Sequence, residues 1–324
     1  MSVKRKNKIK NKSKKIIKGI KNQDSFLLEK IIVQNNNISY VACKFQQNSL
    51  RMTKSKTILF WFLAFILTIA SAYYQRVTGP TYPLSGKVEF EGKIIQYKFE
   101  RSFSTGSNYK LEINTDDPAI SGELFWRRYK FDKDYNKVEM TGKSVLSAEL
   151  PKQPPAGKLE YYVQLHKNDD MITLPNEKSV VIRFKGDVPL WILIPHVMLM
   201  FASMLVATRA AFEYFNQNPR LKKYTLWTIG ILFVGGFIFG PIMQYYAFGE
   251  FWTGVPFGYD LTDNKTLIAM LGWLIAYFMI KKSQHPKRWV VFAAILMFVV
   301  YLIPHSVLGS EHDYSKPLTE QTSK

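Results

Sequence analysis

Two histidines each follow a proline inside long apolar stretches of the sequence, at Pro195-His196 and Pro304-His305. Ionisable residues within a membrane segment are rare and usually face the interior of the helix bundle. Neutral imidazole is a common ligand of haem iron and of metal ions. His196 and His305 are therefore candidate ligands of a haem or a metal ion. In the alternative interpretation, a single hydrogen bond between helices satisfies each ring.

Acidic residues and a third histidine emerge on the same side of the predicted membrane as the two Pro-His pairs. They could supply further metal ligands or a proton route, because carboxylate and imidazole groups both coordinate divalent cations. These additional candidate metal ligands are Glu250, Asp260, Asp263 and His312. A simpler interpretation is also open for the stretch 248–265, in which Thr262, Asp263 or Asn264 caps the following helix and aromatic residues anchor at the membrane interface.

Signatures of common enzymes are missing from the sequence. It contains no GxSxG, HExxH, Walker A or GxGxxG stretch, so no catalytic residue is predicted. The single cysteine, Cys43, leaves the rest of the chain without material for a disulfide, a CxxC redox pair or a cysteine metal site. These features disfavour hydrolase, protease, ATPase and dinucleotide-dependent functions and favour a protein that is not an enzyme.

Five apolar stretches approach the ~20 residues that a helix needs to cross the hydrocarbon core of a membrane. They are residues 57–74, 189–208, 224–247, about 266–280, and 289–308. The sequence therefore predicts a membrane α-helical bundle of about five transmembrane helices. Ala70-Ser71-Ala72 resembles a signal-peptidase site, and cleavage there would leave four crossings. An uncleaved signal anchor is favoured, because the first apolar stretch is longer than a usual signal-peptide core.

Lysine and arginine residues indicate the orientation, because they are retained on the cytoplasmic side. They precede the first apolar stretch and recur between the second and third stretches and between the fourth and fifth. The predicted location is the cytoplasmic (inner) membrane of a bacterium. The N-terminus would lie inside, and the C-terminus and the segment 75–188 outside.

Residues 75–188 carry the alternation of apolar and polar residues that is typical of β-strands. Leu159, Tyr161, Val163 and Leu165 form one such run, and eight strand candidates occur in all. The spacing predicts an inserted all-β domain, a sandwich of immunoglobulin or fibronectin III type. The run that begins at Leu159 also resembles the strand of a tyrosine corner.

Residues 1–51 contain thirteen Lys or Arg and two acidic residues, a net charge of +11 within a total of +19. Such a segment has too little apolar surface to order itself and is predicted to be disordered. Because Met52 precedes two lysines and an apolar run, we expect residues 1–51 to be an upstream extension of the natural start. Nucleic acid and anionic lipid remain alternative partners of the lysines, although no specific nucleic-acid binding is expected.

The predicted organisation therefore has five parts. They are a basic segment 1–51, a signal-anchor helix 52–74, an extracytoplasmic β domain 75–188, a four-helix membrane region 189–308 and an extracytoplasmic tail 309–324. The expected partners are the lipid bilayer and a protein of the cell envelope.

Three stretches at the predicted outer face carry a family resemblance: Tyr73 to Pro83, Trp252 to Thr266, and Pro304 to Glu311. On these stretches the chain, from about residue 52 to its end, resembles an uncharacterised family of bacterial multi-pass membrane proteins with an extracytoplasmic β-sandwich-like domain. The resemblance implies a location at the membrane and supports a start at Met52. It implies no activity.

Three functions are compatible with the sequence. The first is a non-enzymatic envelope protein that presents a partner-binding β domain. The second is a haem- or metal-binding redox membrane protein that uses His196 and His305. The third is a small-molecule transporter, for which the only indication is the third apolar stretch, interrupted by Gly235-Gly236 and Gly240-Pro241.

Overall fold

The structure is a computed structural model that describes residues 54–176, 179–304, 309 and 311–315. The basic segment 1–51 lies outside the described residues. The chain divides into two compact units, Met1–Ile58 with Phe215–Pro219, and Leu59–Tyr214 with Arg220–Lys324. All of the β-strands belong to the second unit.

A β-rich region follows the first helix. Its strands are β1 Leu84–Phe90, β2 Lys93–Phe99, β3 Ser102–Ser104, β4 Tyr109–Asn114, β5 Ser121–Arg128, β6 Asn136–Glu139, β7 Val145–Leu150, β8 Lys158–Lys167, β9 Asp170–Leu174 and β10 Val180–Lys185. A strand occupies each of the eight positions that the sequence predicted, and β3 and β9 are additional. Residues 84–185 are called the β domain below.

The strands form two sheets. One has the order β1-β2-β4-β7 and the other β3-β10-β8-β5-β6, with β9 paired to β8. All of these pairings are antiparallel except that of β3 with β10, which is parallel. Both sheets contribute to one hydrophobic core, in which Ile95 and Leu111 of the first sheet join Leu124 and Ile182 of the second.

The alternation predicted in β8 is confirmed, because Leu159, Tyr161, Val163 and Leu165 are all fully buried. Burial of each such apolar side chain stabilises the fold by about 1.5–3 kcal/mol. The Tyr161 hydroxyl donates a hydrogen bond to the Glu100 carbonyl at 2.9 Å. In a tyrosine corner this bond reaches only a few residues upstream. Here it ties β8 to the distant segment between β2 and β3.

The helices are α1 Lys54–Thr78, α2 Leu190–Ala211, α3 Leu221–Leu232, α4 Gly240–Phe248, α5 Leu261–Lys282 and α6 Pro286–Leu302. In the described part of the chain, three helical stretches are long and apolar enough to cross a membrane: Lys54–Thr78, Leu190–Phe215 and Leu221–Phe248. The fourth and fifth predicted segments correspond to α5 and α6. Both are helical but are not among these three, so the number of five crossings stays a prediction.

The fifth predicted segment was expected to continue to Leu308, but α6 ends at Leu302. Ile303 has extended backbone angles because the following Pro304 disfavours the helical conformation of the residue before it. The helix therefore ends before His305, and His305 itself lies outside the described residues.

The third apolar stretch is interrupted by a π-helix, Phe233–Phe239, between α3 and α4. The helical type changes again at Gly240-Pro241, which begins α4 with the proline in its first turn. Gly235 and Gly236 lie in the π-helix, where added Cβ atoms would come within 2.9 Å of Leu199 and 2.7 Å of Thr266. Their lack of side chains lets the π-helix approach both α2 and α5.

A buried ion pair lies where α2 ends. The Arg209 guanidinium is 2.7 Å from the Glu213 carboxylate, and both side chains are only 1% exposed. The guanidinium also lies over the ring of Tyr224, 5.0 Å from its centroid. Arg209 is therefore part of the packed core, and the exposed positive charge at the start of α3 comes from Arg220, Lys222 and Lys223.

We predict that Gly235→Ala destabilises the helical region by about 1–3 kcal/mol, because the new methyl group overlaps the Leu199 Cβ, which cannot rotate away. Gly230→Ala is the matched control, since an added Cβ there meets nothing within 4 Å. Thermal unfolding of the two variants in mild detergent measures the difference. Equal melting temperatures would contradict the close approach of the π-helix to α2.

Candidate functional site

A cavity of about 430 Å³ lies where the end of the β domain meets the helices. Helix α2 contributes Leu193, His196 and Met200, which are three and four residues apart and therefore share one face. Helix α5 contributes Asp263 and Thr266, which are three residues apart and therefore also share one face. We call it the junction cavity. Because the lining residues follow the helices lengthwise, it extends from the β domain into the helical region.

A backbone hydrogen bond between the end of the β domain and α4 closes one side of the junction cavity. The Gly186 N–H, just after β10, donates to the Ala247 carbonyl near the end of α4 at 2.8 Å. A Cβ at Gly186 would overlap the Tyr246 carbonyl oxygen, so only glycine permits this approach. Next to it the Arg183 guanidinium lies 3.9 Å from the centroid of the Phe248 ring, a cation–π contact.

Two acidic residues at the start of α5 line the junction cavity. Asp260 is the N-cap, and its side chain accepts from the Thr262 N–H at 2.7 Å. The sequence suggested Thr262, Asp263 or Asn264 as the cap of this helix. That prediction is wrong, because the helix begins earlier, at Leu261. Asp263 is instead buried at 7% exposure.

The two carboxylate oxygens of Asp263 have different surroundings. Its Oδ2 accepts three hydrogen bonds, from the Thr253 N–H at 2.7 Å, the Gln244 amide at 3.1 Å and the Thr253 hydroxyl at 3.2 Å. Its Oδ1 accepts none from the residues that the structure describes. One oxygen thus holds the loop after α4 in place, and the other remains available at the cavity.

His196 has a similar division between its two ring nitrogens. Its Nδ1 lies 2.9 Å from the carbonyl oxygen of Gly235 in the π-helix. Because a carbonyl can only accept, Nδ1 carries the proton, and in the neutral ring Nε2 is an acceptor. Within the described ranges Nε2 has no hydrogen-bond partner. The sequence left two roles open for this ring, a structural hydrogen bond or ligand binding. The geometry permits both at once, because Nδ1 makes the structural bond and Nε2 is left for a ligand.

Positive charge reaches the junction cavity from the β domain. Arg183 is 7% exposed, whereas Lys185 is exposed at the cavity edge. Burial lowers the pKa of Arg183, and the charges of Asp260 and Glu311 act in the opposite direction. An arginine remains protonated at neutral pH despite such a shift. The cavity is therefore lined by both basic and acidic side chains.

The C-terminal segment 311–315 packs on the β domain. The Glu311 carboxylate is 2.7 Å from the Lys158 ammonium and 3.3 Å from that of Lys130. The Tyr314 hydroxyl accepts from the Lys158 N–H at 3.0 Å and lies 3.0 Å from the Gln153 side-chain oxygen. Burial raises the pKa of Tyr314 to about 12, so this hydroxyl keeps its proton at neutral pH.

A larger open cleft of about 920 Å³ adjoins this segment and is called the β-domain cleft. It is lined by Trp126, Arg128, Phe131, Asp132, Lys133, Asp134, Asn136, Pro151, Gln153, Pro154, His312 and Tyr314. The Arg128 guanidinium pairs with Asp132 at 2.8 Å and lies 4.5 Å from the centroid of the Phe131 ring. The cleft therefore combines aromatic surface with charges of both signs.

The structure brings together only part of the predicted metal-ligand set. His196, Asp260 and Asp263 line the junction cavity, and Glu250 is not among its lining residues. His312 lines the β-domain cleft, where its ring packs edge-on against Tyr314, because the contacts of Glu311 and Tyr314 hold this segment on the β domain. Among the described residues, no group of three or more His, Cys, Asp or Glu side chains is placed to hold a metal ion.

Arg183 and Gln244 are cavity residues that the sequence analysis did not single out. Alternation along β10 places Arg183 on the strand face opposite Ile182 and Phe184. At Arg183 that face is covered by Phe248 at the end of α4. Gln244 had a weaker signal, a lone amide in an apolar stretch, where a polar side chain generally needs a specific partner.

Neither the protein-family models nor the curated proteins with which the chain was compared contain a match to it. The functional assignments below are therefore proposals that rest on the geometry of the two sites.

Acidification is predicted to release the C-terminal segment from the β domain. Burial of Glu311 acts to raise its pKa, but Lys158 and Lys130 outweigh this effect and hold the pKa below its ordinary value of 4.5. The stabilisation is therefore complete above about pH 4.5 and is lost as the pH falls through the lowered value. Hydrogen exchange of the Lys158 amide, corrected for its intrinsic rate, measures the release.

Glu311→Gln is the control for this prediction. In that variant the segment should be bound more weakly at neutral pH, and its protection should no longer change across the acidic window. A wild-type Lys158 amide whose protection stays constant down to pH 3 would contradict the role of the Glu311 ion pairs.

Proposed function

We propose that this chain is a non-enzymatic protein of the cell envelope that presents its β domain to a partner protein at the outer face of a membrane. The observation that carries the proposal is the direct attachment of the β domain to the helices. Only residues 186–189 separate β10 from α2, and the Gly186 N–H is bonded to the Ala247 carbonyl. Such an attachment holds a binding surface in a fixed orientation, which lowers the entropic cost of binding.

The proposed β domain is an immunoglobulin- or fibronectin III-like sandwich. Strand order supports this assignment: β10-β8-β5-β6 corresponds to the G-F-C-C′ arrangement, and the adjacent β4 and β7 correspond to B and E. Domains of this architecture are used widely for binding and for spacing, although the architecture alone does not define a function.

The proposed location is the cytoplasmic membrane of a bacterium, with five crossings, the N-terminus inside and the β domain outside. The positive residues 220–223, 281–282 and 287–288 then lie on the cytoplasmic side. On the opposite side, Phe257 and Tyr259 are 83% and 91% exposed. Exposed aromatic side chains at that level suit the headgroup region of a bilayer.

The β-domain cleft is the proposed surface for the partner protein. Phe131 is 45% exposed there, and Tyr314, Trp126 and Arg128 lie around it. Aromatic residues and arginine are the types that contribute most to protein interfaces. A cleft that combines them suits a projecting loop of another protein better than a flat surface would.

A transporter is the second candidate, and one observation favours it. The membrane stretch Leu221–Phe248 is broken by a π-helix beside the junction cavity, and transporters often place substrate sites at interrupted helices. Substrate flux into proteoliposomes tests this alternative. The haem or metal hypothesis stays a prediction on His196 and His305, and an absorbance spectrum with metal analysis of the purified protein tests it.

Site-specific photo-crosslinking in native membranes tests the proposed presentation function. A photo-reactive residue at position 131, in the β-domain cleft, is expected to capture one discrete partner protein. The matched control is position 94 in β2, where Ile94 is 70% exposed on the other sheet. Failure of position 131 to crosslink, or an equal yield of the same product at position 94, would reject the cleft as the partner surface.

A further inference from the structure

The polar atoms that line the junction cavity have a consistent arrangement. In its helical part, Asp263 Oδ1 and His196 Nε2 are acceptors without a donor among the described residues, and Asp263 is only 7% exposed. Buried polar groups are nearly always hydrogen-bonded. Neither Asp263 Oδ1 nor His196 Nε2 is among the fully buried side-chain atoms without a partner, so both atoms are accessible, and a ligand in the cavity can supply the donor.

The donor that suits these two atoms is a primary ammonium group. It carries the positive charge that a carboxylate stabilises, and its three N–H groups can serve a carboxylate oxygen and an imidazole nitrogen together. At the β-domain side of the same cavity, Arg183 and Lys185 supply positive charge beside the carboxylate of Asp187, which accepts a hydrogen bond from the Ser104 hydroxyl at 3.0 Å. A ligand whose ammonium group lies between the helices would therefore place an anionic group near these two side chains.

We infer that the junction cavity is a binding site for a small zwitterion with a primary ammonium group and a phosphate or carboxylate group. Its volume of about 430 Å³ lies within the roughly 300–1,000 Å³ of ligand pockets. The ammonium group donates to Asp263 Oδ1 and His196 Nε2, and the anionic group pairs with Lys185 and Arg183. This inference goes beyond the proposed partner binding, which involves the β-domain cleft and not this cavity.

The same chemistry occurs in a free metabolite and in the headgroup of a phospholipid such as phosphatidylethanolamine. The cavity lies where the β domain meets the outer ends of the helices, so both sources would have access. Phosphoethanolamine serves as the free probe, and nanodiscs with and without phosphatidylethanolamine distinguish the two sources.

The test is calorimetric titration of the full-length protein in phosphatidylcholine nanodiscs with phosphoethanolamine, β-alanine and phosphocholine. Phosphocholine has the same charges, but its trimethylammonium group has no N–H to donate. We expect at least one of the first two probes to bind about tenfold or more tightly than phosphocholine. If phosphatidylethanolamine in the nanodisc suppresses that binding, the source is the lipid headgroup.

Two variants connect the binding to the cavity. In Asp263→Asn the amide oxygen can still accept from Thr253 and Gln244, but an N–H₂ group replaces the free oxygen, so binding should weaken about tenfold or more. Asp169→Asn, in the exposed turn between β8 and β9, is the matched control. Lys185→Gln changes an exposed side chain, avoids the risk of misfolding, and should weaken binding several-fold.

The inference is overturned if neither probe binds in nanodiscs of phosphatidylcholine and no phosphatidylethanolamine copurifies with the protein. It is also overturned if phosphocholine binds as tightly as the better of the two probes, or if Lys185→Gln and a folded Asp263→Asn leave the affinity unchanged. Crosslinking at position 131 involves a separate surface, so each proposal can fail without the other.

Discussion

The hydrogen bond from the Gly186 N–H to the Ala247 carbonyl joins the β domain to the helical region, and several other features depend on it. Because Gly186 has no side chain, the chain after β10 can lie against the backbone of α4. This approach places Arg183 over the Phe248 ring and closes the junction cavity on the side next to the β domain. A longer or more flexible connection would leave both the orientation of the β domain and the shape of the cavity undefined.

Inside the helical region, the π-helix has a comparable role. Gly235 and Gly236 let it pack closely on α2 and α5, and the Gly235 carbonyl accepts the bond that fixes the His196 ring. Asp263 holds the loop after α4 through hydrogen bonds to its Oδ2, and the bond from Nδ1 to the Gly235 carbonyl holds the His196 ring in place. Both side chains thus combine a structural hydrogen bond with an acceptor that the described residues leave unpaired, which is the arrangement on which the proposed ligand site depends. A rigid, preorganised site loses less entropy when a ligand binds.

Several features of this protein follow from its sequence alone. Period-2 alternation placed eight strands correctly, because a strand that buries one face must carry apolar residues at every second position. In β8 the buried residues follow this alternation one by one. In the described part of the chain, apolar length located α1 to α6, because a stretch such as Leu221–Phe248 is mostly apolar along its whole length. Proline chemistry explains why α6 ends at Leu302 and not at the predicted Leu308, since Pro304 disfavours helix at the residue before it. Among the candidate site residues, His196, Asp260 and Asp263 line one cavity, and their role as ligands stays a prediction.

Only the tertiary structure decided which of these side chains meet, because periodicity describes a single element and carries no information about what covers it. Alternation places Arg183 on the strand face opposite Ile182 and Phe184, but only the fold shows that the end of α4 covers it. His312 was grouped with Asp263 by side of the membrane, but the ion pairs of Glu311 hold its segment on the β domain. The sequence alone thus determined the elements and their approximate order. Contacts between residues distant in the chain, above all the one between Gly186 and Ala247, decided where the sites are.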